Sequence, residues 1–207
     1  MELMEPLCLQ VDVAKGTLAG GSGRYEKRLS DLGGIYADRQ AFEAMLAEGD
    51  PVVYAVEDLK PNTHPGDMIF GVTRMRPGKI GAEFFVTRGH IHATGNRPEI
   101  YYGESGTGLM QLESPAGESR LIEIRPRSVC YVPPFWIHRS INIGHDDLVM
   151  TFAYPADSGQ DYDIIARAGG MKQRVIDNGQ GGWTAIDNPT YRPRTAAEIE
   201  RVWSTAA

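Results

Sequence analysis

Three histidines and one glutamate are the residues of this chain whose types and spacing could do chemistry together. The stretch Gly89-His90-Ile91-His92-Ala93-Thr94-Gly95-Asn96-Arg97-Pro98-Glu99 sets two histidines two positions apart and a carboxylate shortly after them. Side chains alternate between faces along a strand, so His90 and His92 can turn to the same side. Gly95 and Pro98 suit a loop through which the chain returns and brings Glu99 beside them. Two imidazoles and a carboxylate on one face suit Fe(II) and related divalent ions. Downstream, Pro133-Pro134-Phe135-Trp136-Ile137-His138 puts a third imidazole at the start of another strand. Such a set leaves coordination positions open for water or substrate. A His-x-His pair also occurs in strands that bind nothing, and spacing alone leaves open whether 90, 92, 99 and 138 meet. His64 and His145 lie in turn-like sequence and are read as solvated. Cys8 and Cys130 have no partner at metal-ligand spacing and are read as bystander thiols.

The elements that must position these residues are mostly strands. Short runs rich in β-branched and aromatic residues predict strands near 52–57, 67–75, 80–87, 99–103, 107–113, 119–124, 128–132, 138–143 and 147–154. Turn-forming clusters such as Arg76-Pro77-Gly78, Ser114-Pro115-Ala116-Gly117 and Gly144-His145-Asp146-Asp147 separate them. Many short strands with close turns favour an antiparallel sandwich or barrel, and the missing strand–helix alternation counts against a parallel sheet. Helices are predicted at both ends. Residues 38–48 carry Phe42, Met45 and Leu46 at helical spacing before Gly49-Asp50-Pro51. Thr195-Ala196-Ala197-Glu198 is a capping box ahead of Ile199, Val202 and Trp203. The Gly- and Asp-rich segment 155–182 is expected to wrap the barrel.

A chain of 207 residues, 42% hydrophobic and 23% charged, can bury one sizeable core without staples and reads as one domain, 1–207. Its parts are an N-terminal helical or extended segment (1–50), a barrel (about 51–155) and a wrapping tail with a helix (156–207). The net charge of −6 argues against a nucleic-acid partner, which usually needs a basic face. It permits a small phosphorylated ligand, because backbone N–H groups and hydroxyls can hold phosphate with only local positive charge. The acidic N-terminus is unlike a secretory signal, and no run approaches the roughly 20 apolar residues that cross a bilayer. A cytoplasmic location is expected.

Taken together, Gly-His-x-His, the downstream Glu99, Gly106, and the spacing from Pro133 through His138 to Asn142 resemble the paired motifs of cupins. Phe84 departs from that pattern by replacing a usual glycine, and Arg127 and Phe135 replace others. Those departures resemble the cupin-type glucose-6-phosphate isomerases of archaea and some bacteria. The run from Arg76 to His92 is similar to that family's signature PGKxGxExxxTxGHxH, and the likeness extends from about Tyr54 to Tyr162. It implies an all-β jelly-roll barrel with a few peripheral helices. It also implies His90, His92, Glu99 and His138 as ligands of one divalent metal per subunit, Fe(II) favoured, with Mn(II), Ni(II) or Zn(II) as alternatives. The implied partners are a phosphorylated sugar and a second copy of the chain in a homodimer.

Isomerisation moves hydrogen between C1 and C2 of the open sugar, by proton or hydride transfer, and needs charge stabilised on the neighbouring oxygen. A placed carboxylate is worth about 10²–10⁴-fold in such proton transfers, and Glu99 is the candidate base. Tyr101 shares its strand face and resembles a family tyrosine near the reacting carbons; by pattern alone it would be a packed barrel residue. Thr73, Thr87, the Gly89 backbone and Tyr154 match the family's phosphate-holding positions, and Tyr54 and Tyr162 match its site tyrosines. Arg97 and Gln160 stand where archaeal members tend to carry tyrosine and histidine. A guanidinium at 97 would reach the phosphate or solvent, while Gln160 exchanges hydrogen bonds but shuttles no proton near neutral pH. Other readings use the same residues: a non-haem dioxygenase cupin, an isomerase of another phosphosugar, and a non-enzymatic sugar-binding cupin, in which metal ligands are often missing.

Overall fold

The computed structural model describes residues 5–61 and 64–206, so the expectations for the first four residues lie outside it. In chain order the elements are β1 (Gln10–Asp12), β2 (Thr17–Ala19), β3 (Gly23–Arg28), α1 (Arg39–Glu48), β4 (Val52–Leu59) and β5 (Met68–Met75). Next come β6 (Lys79–Ile80), β7 (Glu83–Phe84), β8 (Glu99–Ser105), β9 (Gly108–Glu113), β10 (Ser119–Ile124) and β11 (Val129–Val132). The chain ends with β12 (Ile137–Asn142), β13 (Leu148–Pro155), α2 (Asp163–Arg167), β14 (Gln173–Asp177), β15 (Trp183–Asp187) and α3 (Ala196–Trp203).

Six strands in the order β11-β8-β13-β5-β4-β3 form one wall of a barrel. β10-β9-β12 and β15-β14-β7-β6 form the rest, and their pairings are antiparallel. The segment after β7 stitches these smaller sheets together through bridges from Val86 to Ile141 and from His90 to His138. Apolar residues of both walls meet in one core: Val56, Tyr101 and Phe152 from the six-stranded sheet, Leu109, Met110 and Ile141 from the other. This is the all-β barrel with peripheral helices that a cupin requires. Alternation holds where one face is solvated, as in β8, where Glu99, Tyr101 and Gly103 are buried and Ile100 is exposed.

One expectation changes and two become more definite. The run 80–87 is not one strand: the chain turns at Gly81, whose φ of 56° favours glycine, leaving two two-residue strands. The opening segment is more extended than helical, since β1, β2 and β3 precede α1. β3, Gly-Arg-Tyr-Glu-Lys-Arg, lacks the apolar alternation of a buried strand because it is a sheet edge, where charged side chains discourage further pairing. Finally, the wrapping segment carries ordered elements, α2 and β14, the latter pairing with β7 and β15.

Both predicted helices form. Asp38 caps α1 by accepting from the Ala41 N–H at 2.9 Å, and Phe42, Met45 and Leu46 lean on the core. The capping box of α3 is made by Thr195 and Glu198. Among the described residues no helix is long and apolar enough to cross a membrane.

Candidate active site

His90 and His92 sit on the irregular segment bridged to β12, which itself carries His138, while Glu99 opens β8 on the facing wall. The four are buried, and one ligand atom from each lies within 4.8 Å of the others. The sequence leaves this convergence open; the bridge between His90 and His138 and the return through Gly95 and Pro98 bring it about.

Their hydrogen bonds fix which nitrogen faces inward. His92 Nδ1 lies 2.8 Å from the Arg97 carbonyl, and His138 Nδ1 lies 3.0 Å from that of Trp136. A carbonyl only accepts, so each Nδ1 carries the proton and donates. Each Nε2 then offers its lone pair towards Glu99 Oε2, at 3.2 Å from His92 and 3.0 Å from His138, with His90 Nε2 at 3.8 Å. Facing acceptors repel at such distances unless a cation or proton lies between them. Backbone-anchored imidazoles around a carboxylate oxygen are the donor set of a divalent metal, so the residues present fit one. Burial and the neighbouring His138 push His90 well below its usual range, which keeps it neutral, the form that ligates. Burial opposes ionisation of Glu99, but a proton on His138 or His92 Nε2 that is donated to the carboxylate outweighs it and holds the carboxyl below the ordinary range, and a cation in the same place acts in the same direction.

Beside this cluster lies a cavity lined by Tyr54, Thr73, Thr87, Gly89, Tyr101, Tyr154, Gln160 and Tyr162, together with His90 and Glu99. Tyr101 adjoins Glu99 and packs edge-on to His138, while Tyr154 lies against His92. Burial, reinforced by the Glu99 charge, pushes the Tyr101 and Tyr154 hydroxyls far up, so both remain proton donors. Burial raises Tyr54 likewise. Gly89 has φ 76°, and a side chain there would collide with Arg139 and the His138 carbonyl. The Tyr162 hydroxyl donates to Gln160 Oε1, and Gln160 Nε2 approaches His90 Nε2 at 3.5 Å.

Arg97 is the exception. It does not line the cavity. Its guanidinium is clamped by Asp157, Nε to Oδ1 at 2.9 Å and Nη2 to Oδ2 at 2.6 Å, so it neither reaches into the cup nor floats in solvent. The loop conformation that presents the Arg97 carbonyl to His92 faces its side chain the other way. Conversely, Tyr25, Asp58, Lys60 and Ser140 line the cavity without having been singled out. Period-2 alternation from Tyr54 would have placed Val56 and Asp58 on its face, and alternation from His138 would have placed Ser140. Tyr25 had no such signal, because β3 does not read as a strand.

A jelly-roll barrel with an inward-facing three-histidine, one-glutamate set defines a cupin. Comparison with known proteins is more specific: the family model described as Glucose-6-phosphate isomerase (GPI) matches residues 26–192. A relative named glucose-6-phosphate isomerase from Sinorhizobium medicae (strain WSM419) is 57% identical over 98% of this chain and 95% of its own. One of the same name from Thermococcus litoralis is 41% identical over 93% of this chain and 100% of its own. Among solved structures, recombinant oxalate oxidase in complex with glycolate gives a TM-score of 0.46 at 15% identity, covering 75% of this chain and 73% of that one. The chain belongs to the glucose-6-phosphate isomerase family.

Proposed function

We propose that the protein interconverts glucose 6-phosphate and fructose 6-phosphate, with Glu99 carrying the proton between C1 and C2. The observation that carries this reading is the division of labour on one carboxylate. Oε2 of Glu99 is directed at the three imidazoles, while Oε1 is left on the cavity side, where the Tyr101 hydroxyl adjoins the carboxylate. One oxygen can therefore face a metal while the other works as base. His90, His92, Glu99 and His138 hold one divalent ion, Fe(II) by preference, with Mn(II), Ni(II) or Zn(II) able to substitute. When bound, such an ion supplies Lewis acidity to the C1 and C2 oxygens. Tyr101, protonated and beside Glu99, donates to a developing sugar oxyanion. Thr73, Thr87, the Gly89 N–H, Tyr54 and Tyr154 hold the phosphate as a cradle of neutral donors, and Gln160 with Tyr162 orients the chain of the sugar. The buried walls keep water from the reacting carbons, which strengthens each of these contacts.

We read residues 1–207 as a single domain of a cytoplasmic homodimer. The exposed apolar side chains of Ile100, Val129 and Tyr131 on β8 and the edge strand β11 support the pairing. Sedimentation should give twice the 22.8 kDa chain mass; a monomer at micromolar concentration would rule the dimer out.

The decisive experiment adds fructose 6-phosphate to metal-loaded protein and follows glucose 6-phosphate in a coupled assay. Glu99→Gln should retain metal yet lose turnover by about 10²-fold or more, the scale of a positioned base. Exhaustive chelation should abolish activity and divalent metal should restore it. Wild-type turnover in the Gln variant would refute the base, and indifference to chelation would refute the metal. Oxygen uptake with an aromatic or thiol substrate, without sugar turnover, would favour the dioxygenase reading.

A further inference from the structure

The face of β12 opposite the metal cluster carries Arg139, which is only 6% exposed. Its Nε donates to Gln111 Oε1 at 2.7 Å, and among the described residues neither Nη has a partner. Nearby carboxylates are already engaged. Glu83 pairs with Arg174 at 2.8 Å, and Glu113 pairs with Arg194 at 2.6 Å. Three arginines in the layer beneath the tail thus share two carboxylates, which leaves one positive charge without a counter-ion. Such a charge is costly to bury, and an anion is what would offset it.

The space for that anion exists. Arg139 lines a cavity of about 500 Å³ together with Arg88, Arg174, Tyr162, Asn188 and Ala166. Two acidic side chains come near, and neither neutralises Arg139: exposed Asp31 on the lining accepts from the Arg28 N–H, and Asp163 lies 3.4 Å from Arg88. A guanidinium with both Nη groups free presents a planar fork that matches a carboxylate or a phosphate. Tyr162 lines both this cavity and the sugar cavity, so occupancy of one bears on the other.

We propose that this cavity is a second binding site, separate from the cup, for the oxyanion of a small metabolite, with Arg139 as its main charge partner. The inference stands whether or not the isomerase reading does.

Titration calorimetry tests it on the metal-loaded full chain, with inorganic phosphate and malonate as probes and fructose 6-phosphate kept saturating so that the cup is engaged. At least one probe should bind. Arg139→Gln should weaken that binding about tenfold or more, as loss of a charge-assisted hydrogen bond does, while Arg139→Lys should keep part of it. Ala166→Trp plugs the cavity from an exposed position on α2 and should abolish binding, so the test survives if Arg139→Gln does not fold. Preference for phosphate would identify the ligand as a phosphate ester, and preference for malonate as a carboxylic acid. Binding of neither probe, or binding unchanged in Arg139→Gln and Ala166→Trp alike, would overturn the proposal.

Discussion

The two threonines of the cavity beside Glu99 look alike in sequence and differ in what their hydroxyls do. Thr87 Oγ1 accepts from the Ser140 N–H at 2.9 Å and so helps tie the 83–92 segment to β12. The Thr73 hydroxyl has no such partner among the described residues, although the residue is buried. Thr73→Val should therefore raise KM for fructose 6-phosphate about tenfold, the loss of one hydrogen bond to a charged group, with an unchanged melting temperature. Thr87→Val should raise KM and also lower stability by about 1 kcal/mol or more, because it leaves a part-buried N–H without its acceptor. Steady-state kinetics and thermal melts on the pair separate the two roles; equal loss of stability in both would contradict the assignment. His90, His92, Glu99 and His138 were legible as candidates from residue type and spacing. Asp58 and Ser140 were within reach of the same alternation rule. Arg97 was not, because a loop side chain has no period from which to read its direction.

The loop from Ala93 to Pro98 is the element on which the histidine–glutamate cluster depends most directly. It presents the Arg97 carbonyl to His92 while Asp157, just beyond β13, grips the Arg97 side chain. Arg97→Gln should weaken metal retention about tenfold, as loss of support behind a ligating histidine does, measurable by competition with a chromogenic chelator. Arg97 holds the Asp157 carboxyl below its usual range. A lowered folded-state value means that the contribution to stability is full above the unfolded value near about pH 4. It is lost as pH falls through the folded value. The difference in melting temperature between wild type and Arg97→Gln should accordingly be constant near neutrality and shrink in acid below that point. A gap that widens in acid would exclude the clamp. β8 was legible because it has a solvated and a buried face, whereas β9, β12 and β13, buried on both faces, were legible as short runs bounded by turn clusters. β3 and the split at Gly81 were not, since an edge strand needs no apolar alternation and a two-residue strand is too short to show any.

At the scale of the molecule, the tail is fastened across the outside of the β9–β12 sheet by buried polar contacts. Glu113 is fully buried and receives Arg194, the Tyr191 hydroxyl and the Lys172 N–H. Gln111 donates to the Gln173 carbonyl beside it. Arg194→Met removes one partner and leaves a buried carboxylate, which typically costs about 3–5 kcal/mol. Urea unfolding should report a loss of that order, and the far larger distance in sequence than in space makes a purely local effect implausible. A midpoint equal to wild type would show that the tail is held by its apolar contacts alone.

Residue types, the His-x-His spacing, strand alternation and helix caps are local properties, and the sequence by itself determined the ligand candidates, most of the strands between residues 52 and 155 and both predicted helices. Whether the histidines and glutamate share a point, which way Arg97 faces, and that Arg139 is left without a carboxylate depend on contacts between segments far apart along the chain. Only tertiary packing decides those, because burial and charge pairing are set by which distant surfaces meet.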